Sequence, residues 1–89
     1  PVNFKLNQNY PNPFNPKTII NYQTGIPAFI SLKVYNIKGE EIAILTEKKQ
    51  NAGVYEFEFD GSDIPSGIYF YTLYAGEIKI DTKRMILLK

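Results

Sequence analysis

Apolar and polar residues alternate along most of the chain, with the period of two residues that is typical of β-strands. The clearest example is residues 55–60, where Tyr and Phe alternate with Glu and Asp. The same period appears at residues 18–22 and 30–34, and in the first of these Ile20 and Tyr22 fall on one face. Each of these segments is therefore predicted to be a strand with one buried face.

Turn-forming residues separate the predicted strands. Residues 36–39 predict a hairpin turn in which Gly39 has a positive φ, and residues 41–46 predict the return strand. The polar segment 48–53 ends at a glycine, and residues 61–67 predict a loop because Gly, Ser, Asp and Pro dominate them. The strands between these turns are therefore short.

The last third of the chain contains its most apolar segment. Residues 68–74 are apolar at nearly every position, which predicts a central strand covered on both faces. After a turn at 75–77, Ile78 and Ile80 alternate with charged residues, and a second apolar run at 85–88 closes the sequence. No window has the periodicity of an amphipathic helix. The pattern predicts an all-β fold, an immunoglobulin-like antiparallel β-sandwich of about seven strands.

The first sixteen residues differ from the rest, because three of the six prolines fall between positions 11 and 16. Proline fixes φ and removes a backbone donor, which excludes a helix and the middle of a sheet. We predict an ordered, turn-rich strap in which Tyr10 and Phe14 hold the segment onto the domain. The chain is then one domain, 1–89, with the strap at 1–16 and the sandwich at 17–89. The strap residues are Asn9, Tyr10, Pro11, Asn12, Pro13, Phe14, Asn15 and Pro16.

Composition narrows the possible functions. The 89 residues suffice for one domain, and 10 basic and 9 acidic residues give a formal charge of +1, which favours neither nucleic acid nor an acidic membrane as a partner. Without Cys or His there is no disulfide framework, no thiolate or imidazole zinc site and no Cys nucleophile. No apolar run approaches the roughly 18 residues of a membrane-spanning helix. We therefore expect no enzyme activity, no cofactor and no membrane span. The start at Pro1, without Met, suggests that the chain is a piece of a longer protein.

The densest group of carboxylates consists of Glu56, Glu58, Asp60 and Asp63. Such a group suggests a calcium site or a glycosidase acid pair. Strand alternation instead places Glu56 and Glu58 on the solvent face of one strand, roughly 6.6–7 Å apart. The segment from Asp60 to Asp63 also lacks the ligand spacing of an EF-hand loop. A solvated strand face is the favoured interpretation.

Aromatic and basic residues offer two further candidate surfaces. The 13 Tyr and Phe residues suggest a stacking platform for sugars or single strands, but most occupy inward positions, where they fill a core that has no Trp. Phe29, Tyr35 and Tyr74 are the predicted exposed exceptions. Residues 83–84 and Lys89 form a small basic cluster, which on its own indicates protection of an edge strand.

Three separated blocks of the sequence occur in the order expected for a known family. They are residues 6–16, residues 34–42, and residues 64–71 together with 83–89. They resemble the opening signature, the central hairpin and the last two strands of the type A C-terminal sorting domains of the type IX (Por) secretion system. The sequence departs from the family pattern at 24–27 and 78–81, outside the three blocks.

The resemblance implies a non-catalytic, immunoglobulin-like signal at the end of a larger secreted protein, often a hydrolase or an adhesin, of a Gram-negative bacterium. Such a domain sends its fused cargo from the periplasm through the type IX outer-membrane translocon to the medium or the cell surface. A sortase-like peptidase commonly removes the domain, and the cargo is released or attached to the surface. By motif, the residues implied in translocon recognition are Gly67, Tyr69, Lys83, Arg84, Met85, Ile86, Leu87, Leu88 and Lys89.

Two hypotheses follow for how the domain is used. In the first, the terminal strand has free polar groups and basic tips, and docks by edge addition to a translocon component. In the second, the chain is an accessory carbohydrate-binding or spacer module of a secreted hydrolase, with Phe29, Tyr35 and Tyr74 as candidate sugar contacts.

Overall fold

The computed structural model describes residues 4–89, which form seven strands in two antiparallel sheets, with no helix in that range. One sheet has the order β1-β2-β5 and the other the order β4-β3-β6-β7. The predicted antiparallel β-sandwich is confirmed. The strands are β1 (Lys5–Leu6), β2 (Lys17–Thr24), β3 (Ala28–Tyr35), β4 (Glu41–Gln50), β5 (Gly53–Asp60), β6 (Gly67–Ala75) and β7 (Ile78–Leu87).

Burial along the strands follows the predicted alternation. In β2, Ile20 and Tyr22 are buried on the face that also carries Thr18, and in β3 Ile30, Leu32 and Val34 are fully buried. These side chains point between the two sheets because a strand turns successive side chains to opposite faces. The core therefore forms from the inner faces of both sheets together. Its buried apolar members are Leu6, Phe14, Ile20, Tyr22, Ile30, Leu32, Val34, Phe59, Tyr69, Tyr71, Leu73, Met85 and Leu87.

The hairpin between β3 and β4 has the predicted turn and a longer return strand. The Asn36 Oδ1 accepts hydrogen bonds from the backbone N–H groups of Lys38 and Glu40, and Gly39 has a φ of 83°. Strand β4 continues to Gln50, which pairs with Ala28, so the prediction of a strand ending at residue 46 is wrong. The polar residues 47–49 fit this strand because it lies at the edge of its sheet, where their side chains reach solvent.

Strand β6 is central in its sheet, between β3 and β7, but it is covered on one face only. Tyr69, Tyr71 and Leu73 are buried on its inner face, whereas Ile68 on the outer face is 40% exposed. The prediction of a strand covered on both faces is therefore wrong, because within residues 4–89 the sandwich has two layers and neither packs on this outer face. Strand β7 joins the last two predicted apolar segments into one continuous strand.

The buried Tyr71 predicts a pH dependence of stability. Its hydroxyl donates to the Asn7 carbonyl oxygen at 2.7 Å, and burial raises the pKa of Tyr71 to about 12 from 10.0. The folded state therefore holds this proton more tightly, and its stabilising effect is complete below pH 10 and declines between about pH 10 and 12. The difference in unfolding free energy between the wild type and Tyr71→Phe should change by about 2 kcal/mol between about pH 9 and 12, measured by urea denaturation. A constant difference over that interval would contradict this prediction.

Candidate functional site

Strands β6 and β7 bring together the residues that the sequence motif implies in recognition. Gly67 pairs with Leu87, and Tyr69 pairs with Met85, although each pair is far apart in the sequence. The inward members, Tyr69, Met85 and Leu87, are buried in the core. Arg84, Leu88 and Lys89 are exposed, whereas Gly67, Lys83 and Ile86 are partly buried. The buried candidates can affect a partner only by positioning the exposed ones.

The strap crosses from one sheet to the other on this side of the sandwich. Tyr10 and Ile19 exchange two backbone hydrogen bonds, of 3.0 and 2.9 Å, which attach the strap to β2. Four residues later, Phe14 donates to the Ile86 carbonyl oxygen and accepts from the Leu88 N–H, both at 2.9 Å. The second pair forms a parallel bridge with the end of β7. The strap therefore fastens β2 of the first sheet to β7 at the edge of the second sheet.

Side chains of the strap also bond to outward backbone groups at the end of β7. The Asn12 Oδ1 accepts from the Ile86 N–H at 3.0 Å, and the Gln8 Nε2 donates to the Arg84 carbonyl oxygen at 2.6 Å. Together with the bonds of Phe14, these contacts occupy outward backbone groups of residues 84–88. These bonds occupy most of the outward polar groups that the prediction left free, so residues 84–88 offer little backbone edge for the addition of a strand. Prolines cannot donate backbone hydrogen bonds, so the strap covers this edge with side chains and one short bridge.

Asn9 and Thr18 hold the strap in its bent shape. Both are buried, and the Asn9 Nδ2 donates to the Thr18 Oγ1 at 3.0 Å and to the Pro11 carbonyl oxygen at 3.2 Å. The Thr18 hydroxyl in turn donates to the same carbonyl oxygen at 2.8 Å. Sequence reasoning did not select Thr18, although its position on the inward face of β2 was a signal for it. This network satisfies a carbonyl that a proline-rich turn would otherwise leave without a partner.

The two aromatic residues of the strap have opposite positions. Phe14 is 1% exposed and packs edge-on against Phe59, with ring centroids 6.1 Å apart. Tyr10 is 79% exposed, so the prediction that it also anchors the strap is wrong. The backbone of Tyr10 makes the bridge to β2, and its ring makes no part of the core. Tyr10 is therefore an exposed aromatic group on an otherwise fixed segment.

The basic residues at the end of the chain are held in different ways. The Lys89 ammonium donates to the carbonyl oxygens of Ser62 and Ile64 at 2.8 Å each, so it is fixed on the loop before β6. Lys83 pairs with Asp81 at 3.5 Å. Arg84 has no ion-pair partner among residues 4–89. Of the three predicted basic tips, only the Arg84 side chain thus has neither a hydrogen-bond nor an ion-pair partner among residues 4–89.

The four carboxylates at residues 56, 58, 60 and 63 do not form a single site. Glu56 and Glu58 lie on the exposed outer face of β5, as predicted, and within residues 4–89 no three Asp, Glu, His or Cys side chains converge to hold a metal ion. Hydrogen bonds from Ser62 lower the pKa of Asp60, and the nearby Lys17 and Lys89 charges act in the same direction. Asp60 is therefore charged at neutral pH, and Glu56 and Glu58 are exposed to solvent.

Two of the three predicted exposed aromatic residues meet on the outer face of the second sheet. The hydroxyls of Tyr35 and Tyr74 lie 2.8 Å apart, and both rings are half-buried. Phe29 is 49% exposed and does not line the groove beside that pair. The structure therefore supports a paired aromatic surface from two of these residues, with the third outside it.

Comparisons with known proteins point to one family. A family model described as a secretion system C-terminal sorting domain matches residues 8–87, from the strap to the end of β7. No curated protein matches the chain. Residues 4–89 contain no helix long and apolar enough to cross a bilayer.

Proposed function

Since the chain belongs to the family of type IX secretion-system C-terminal sorting domains, we propose that it directs a larger cargo protein through the type IX outer-membrane translocon. A domain of this family is a sorting signal, and the protein that bears it is secreted or held at the cell surface. The cargo, a hydrolase or an adhesin fused before the domain, reaches the translocon from the periplasm. A sortase-like peptidase then removes the domain, and the domain itself catalyses nothing.

The observation that carries this proposal is the family match over residues 8–87, which includes both the strap and the terminal strand. A signal that serves unrelated cargoes must be recognised without help from them, so it has to fold by itself and present a fixed surface. The bonds of Asn12 and Phe14 to the end of β7 supply that rigidity. They support a signal composed of two segments that are distant in the sequence.

Recognition then depends on side chains that project from this unit. The exposed groups include Tyr10, Pro11 and Pro13 on the strap, and Arg84 and Leu88 on the terminal segment. An exposed arginine and an exposed aromatic ring are the residue types that most often dominate protein interfaces. We propose that a translocon component contacts this surface through side chains, since the strap occupies most of the outward backbone groups at residues 84–88.

Paired substitutions of exposed residues test this proposal while leaving the fold intact. A fluorescent protein with an export signal is fused before the chain and produced in a bacterium that has a type IX system. In the double variant Arg84→Glu and Leu88→Ser, the secreted fraction should fall about tenfold and the cargo should accumulate in the periplasm, because a tenfold loss corresponds to about 1.4 kcal/mol of binding.

The matched control is Glu56→Lys, which alters an exposed charge on the outer face of the other sheet. It should leave secretion unchanged. Thermal unfolding followed by circular dichroism should show all variants within about 2 °C of the wild type. Normal secretion of the double variant would refute recognition through this surface.

A further inference from the structure

The outer faces of the two sheets differ in chemical character. The outer face of β5 carries Glu56, Glu58 and Asp60, as expected for a solvated sheet. The outer face of the second sheet carries apolar and aromatic side chains interspersed with charged ones, and no element within residues 4–89 covers it. Its apolar members are Phe29, Tyr35, Ile44, Ile68, Phe70 and Tyr74. Exposed apolar side chains gathered on one face can mark an interaction site.

A groove of about 290 Å³ lies on this face, next to the hairpin between β3 and β4. Its walls include the rings of Tyr35, Phe70 and Tyr74 and the side chain of Ile37, which is 72% exposed. Such a cluster of rings is the kind of surface on which apolar side chains of a partner pack.

The polar groups of the groove are bonded mainly to one another. The Tyr35 and Tyr74 hydroxyls lie 2.8 Å apart, and so do the Thr72 and Thr82 hydroxyls. Burial, followed by the Tyr74 hydrogen bond, raises the pKa of Tyr35 to about 12, so the Tyr35 hydroxyl is uncharged at neutral pH. In each pair one hydroxyl donates to the other, so one hydroxyl proton of each pair can still be donated to a ligand. A sugar needs several converging hydrogen-bond donors and acceptors, and the groove offers few of them.

Two cations without an acidic partner lie at or near the rim of the groove. Lys79 lines the groove, and Arg84 lies opposite Phe70 in the pairing of β6 with β7. Neither has an acidic partner within ion-pair distance among residues 4–89. Lys33, whose ammonium lies 5.5 Å from the centre of the Tyr74 ring, is already paired with Glu41 at 3.4 Å. The uncompensated cations at the rim therefore complement a ligand that carries carboxylates.

We propose that this groove docks an extended segment of a partner protein whose apolar or aromatic side chains are flanked by acidic residues. The apolar side chains pack on the rings of Tyr35, Phe70 and Tyr74, and the carboxylates pair with Lys79 and Arg84. Desolvated aromatic contacts surrounded by charged ones are the usual anatomy of a protein interface. Arg84 also belongs to the surface proposed above for the translocon, but Lys79 and the three rings do not, so the groove contact is tested through Lys79.

The test uses the whole 89-residue chain and a phage-displayed library of random peptides of about 12 residues, which span roughly 40 Å when extended. The selected peptides should be enriched in Phe, Tyr, Leu or Ile together with Asp or Glu. A soluble copy of the strongest binder is then titrated against Lys79→Glu, which should weaken binding about fivefold. Replacing the Glu and Asp residues of that peptide by Lys should restore binding to the Lys79→Glu chain.

Val54→Ser is the matched control, since Val54 is 77% exposed on the outer face of the other sheet. Binding to this variant should stay within about twofold of the wild type. The proposal is overturned if no peptide is selected, if the selected peptides lack acidic residues, or if Val54→Ser weakens binding as much as Lys79→Glu does. Saturable binding of an oligosaccharide panel without selection of acidic peptides would instead favour a sugar-binding module.

Discussion

Replacing Phe14 with alanine is expected to lower the free energy of unfolding by about 3–5 kcal/mol, because the change removes a fully buried ring and leaves a cavity between the sheets. The ring packs edge-on against Phe59, and its backbone carries both bonds that join the strap to the end of β7. For a domain of this size the loss is a large share of a total stability of about 5–10 kcal/mol. Urea denaturation followed by circular dichroism measures it.

Tyr10→Ala is the matched control within the same strap. Tyr10 is also aromatic, but its ring is 79% exposed, so its removal should cost less than about 0.5 kcal/mol. Phe14→Leu should give an intermediate loss, since leucine refills part of the cavity. Equal losses for Tyr10→Ala and Phe14→Ala would contradict the structural roles assigned to the two rings.

The position of Phe14 also explains why the loop before β6 contains a glycine. A Cβ atom on Gly61 would lie 3.0 Å from a methyl group of Leu87 and 3.3 Å from the Phe14 ring. The Gly61 N–H donates to the Pro16 carbonyl oxygen at 2.8 Å, which fixes the end of the strap on the same loop. The strap, this loop and the end of β7 therefore meet around one aromatic ring.

The local pattern predicts which face of each strand is buried, because a strand turns successive side chains to opposite faces and the core takes the apolar ones. Ile30, Leu32 and Val34 were placed inward by period alone, and all three are fully buried. The same pattern predicts an end of β4 at residue 46, which is too early, because an edge strand tolerates polar side chains on its exposed positions. Residue type also predicts Tyr10 as an anchor, because residue type alone does not reveal that the backbone makes the contact.

The sequence pattern also does not predict that the strap covers the end of β7, and the reason is different. The bond from the Ile86 N–H to the Asn12 side chain joins residues 74 positions apart, and the bond from Gln8 to Arg84 joins residues 76 positions apart. Neither periodicity nor turn composition contains information on such pairs. The motif did identify both segments as important, but only the fold shows that they form one unit and that Lys89 is fixed on the loop by Ser62 and Ile64.

Deletion of residues 84–89 is expected to abolish export, with a fall of at least about a hundredfold in the secreted fraction and accumulation of cargo in the periplasm. The deletion removes the fully buried Met85 and Leu87 and every partner of Phe14 on β7, so the domain should lose its cooperative unfolding transition as well. Cell fractionation and circular dichroism of the purified chain measure the two effects.

Removal of Lys89 alone is the control for that deletion. The loss of Lys89 takes away hydrogen bonds to Ser62, Ile64 and Ser66 but leaves the core and the strap bridge intact. It should cost about 1 kcal/mol and leave most of the cargo secreted, because these bonds are exposed to water. If the longer deletion were exported normally, the sorting function would be refuted. If its purified chain kept a cooperative transition, the strap and the terminal strand would not be the single folded unit from which the exposed recognition surface is built.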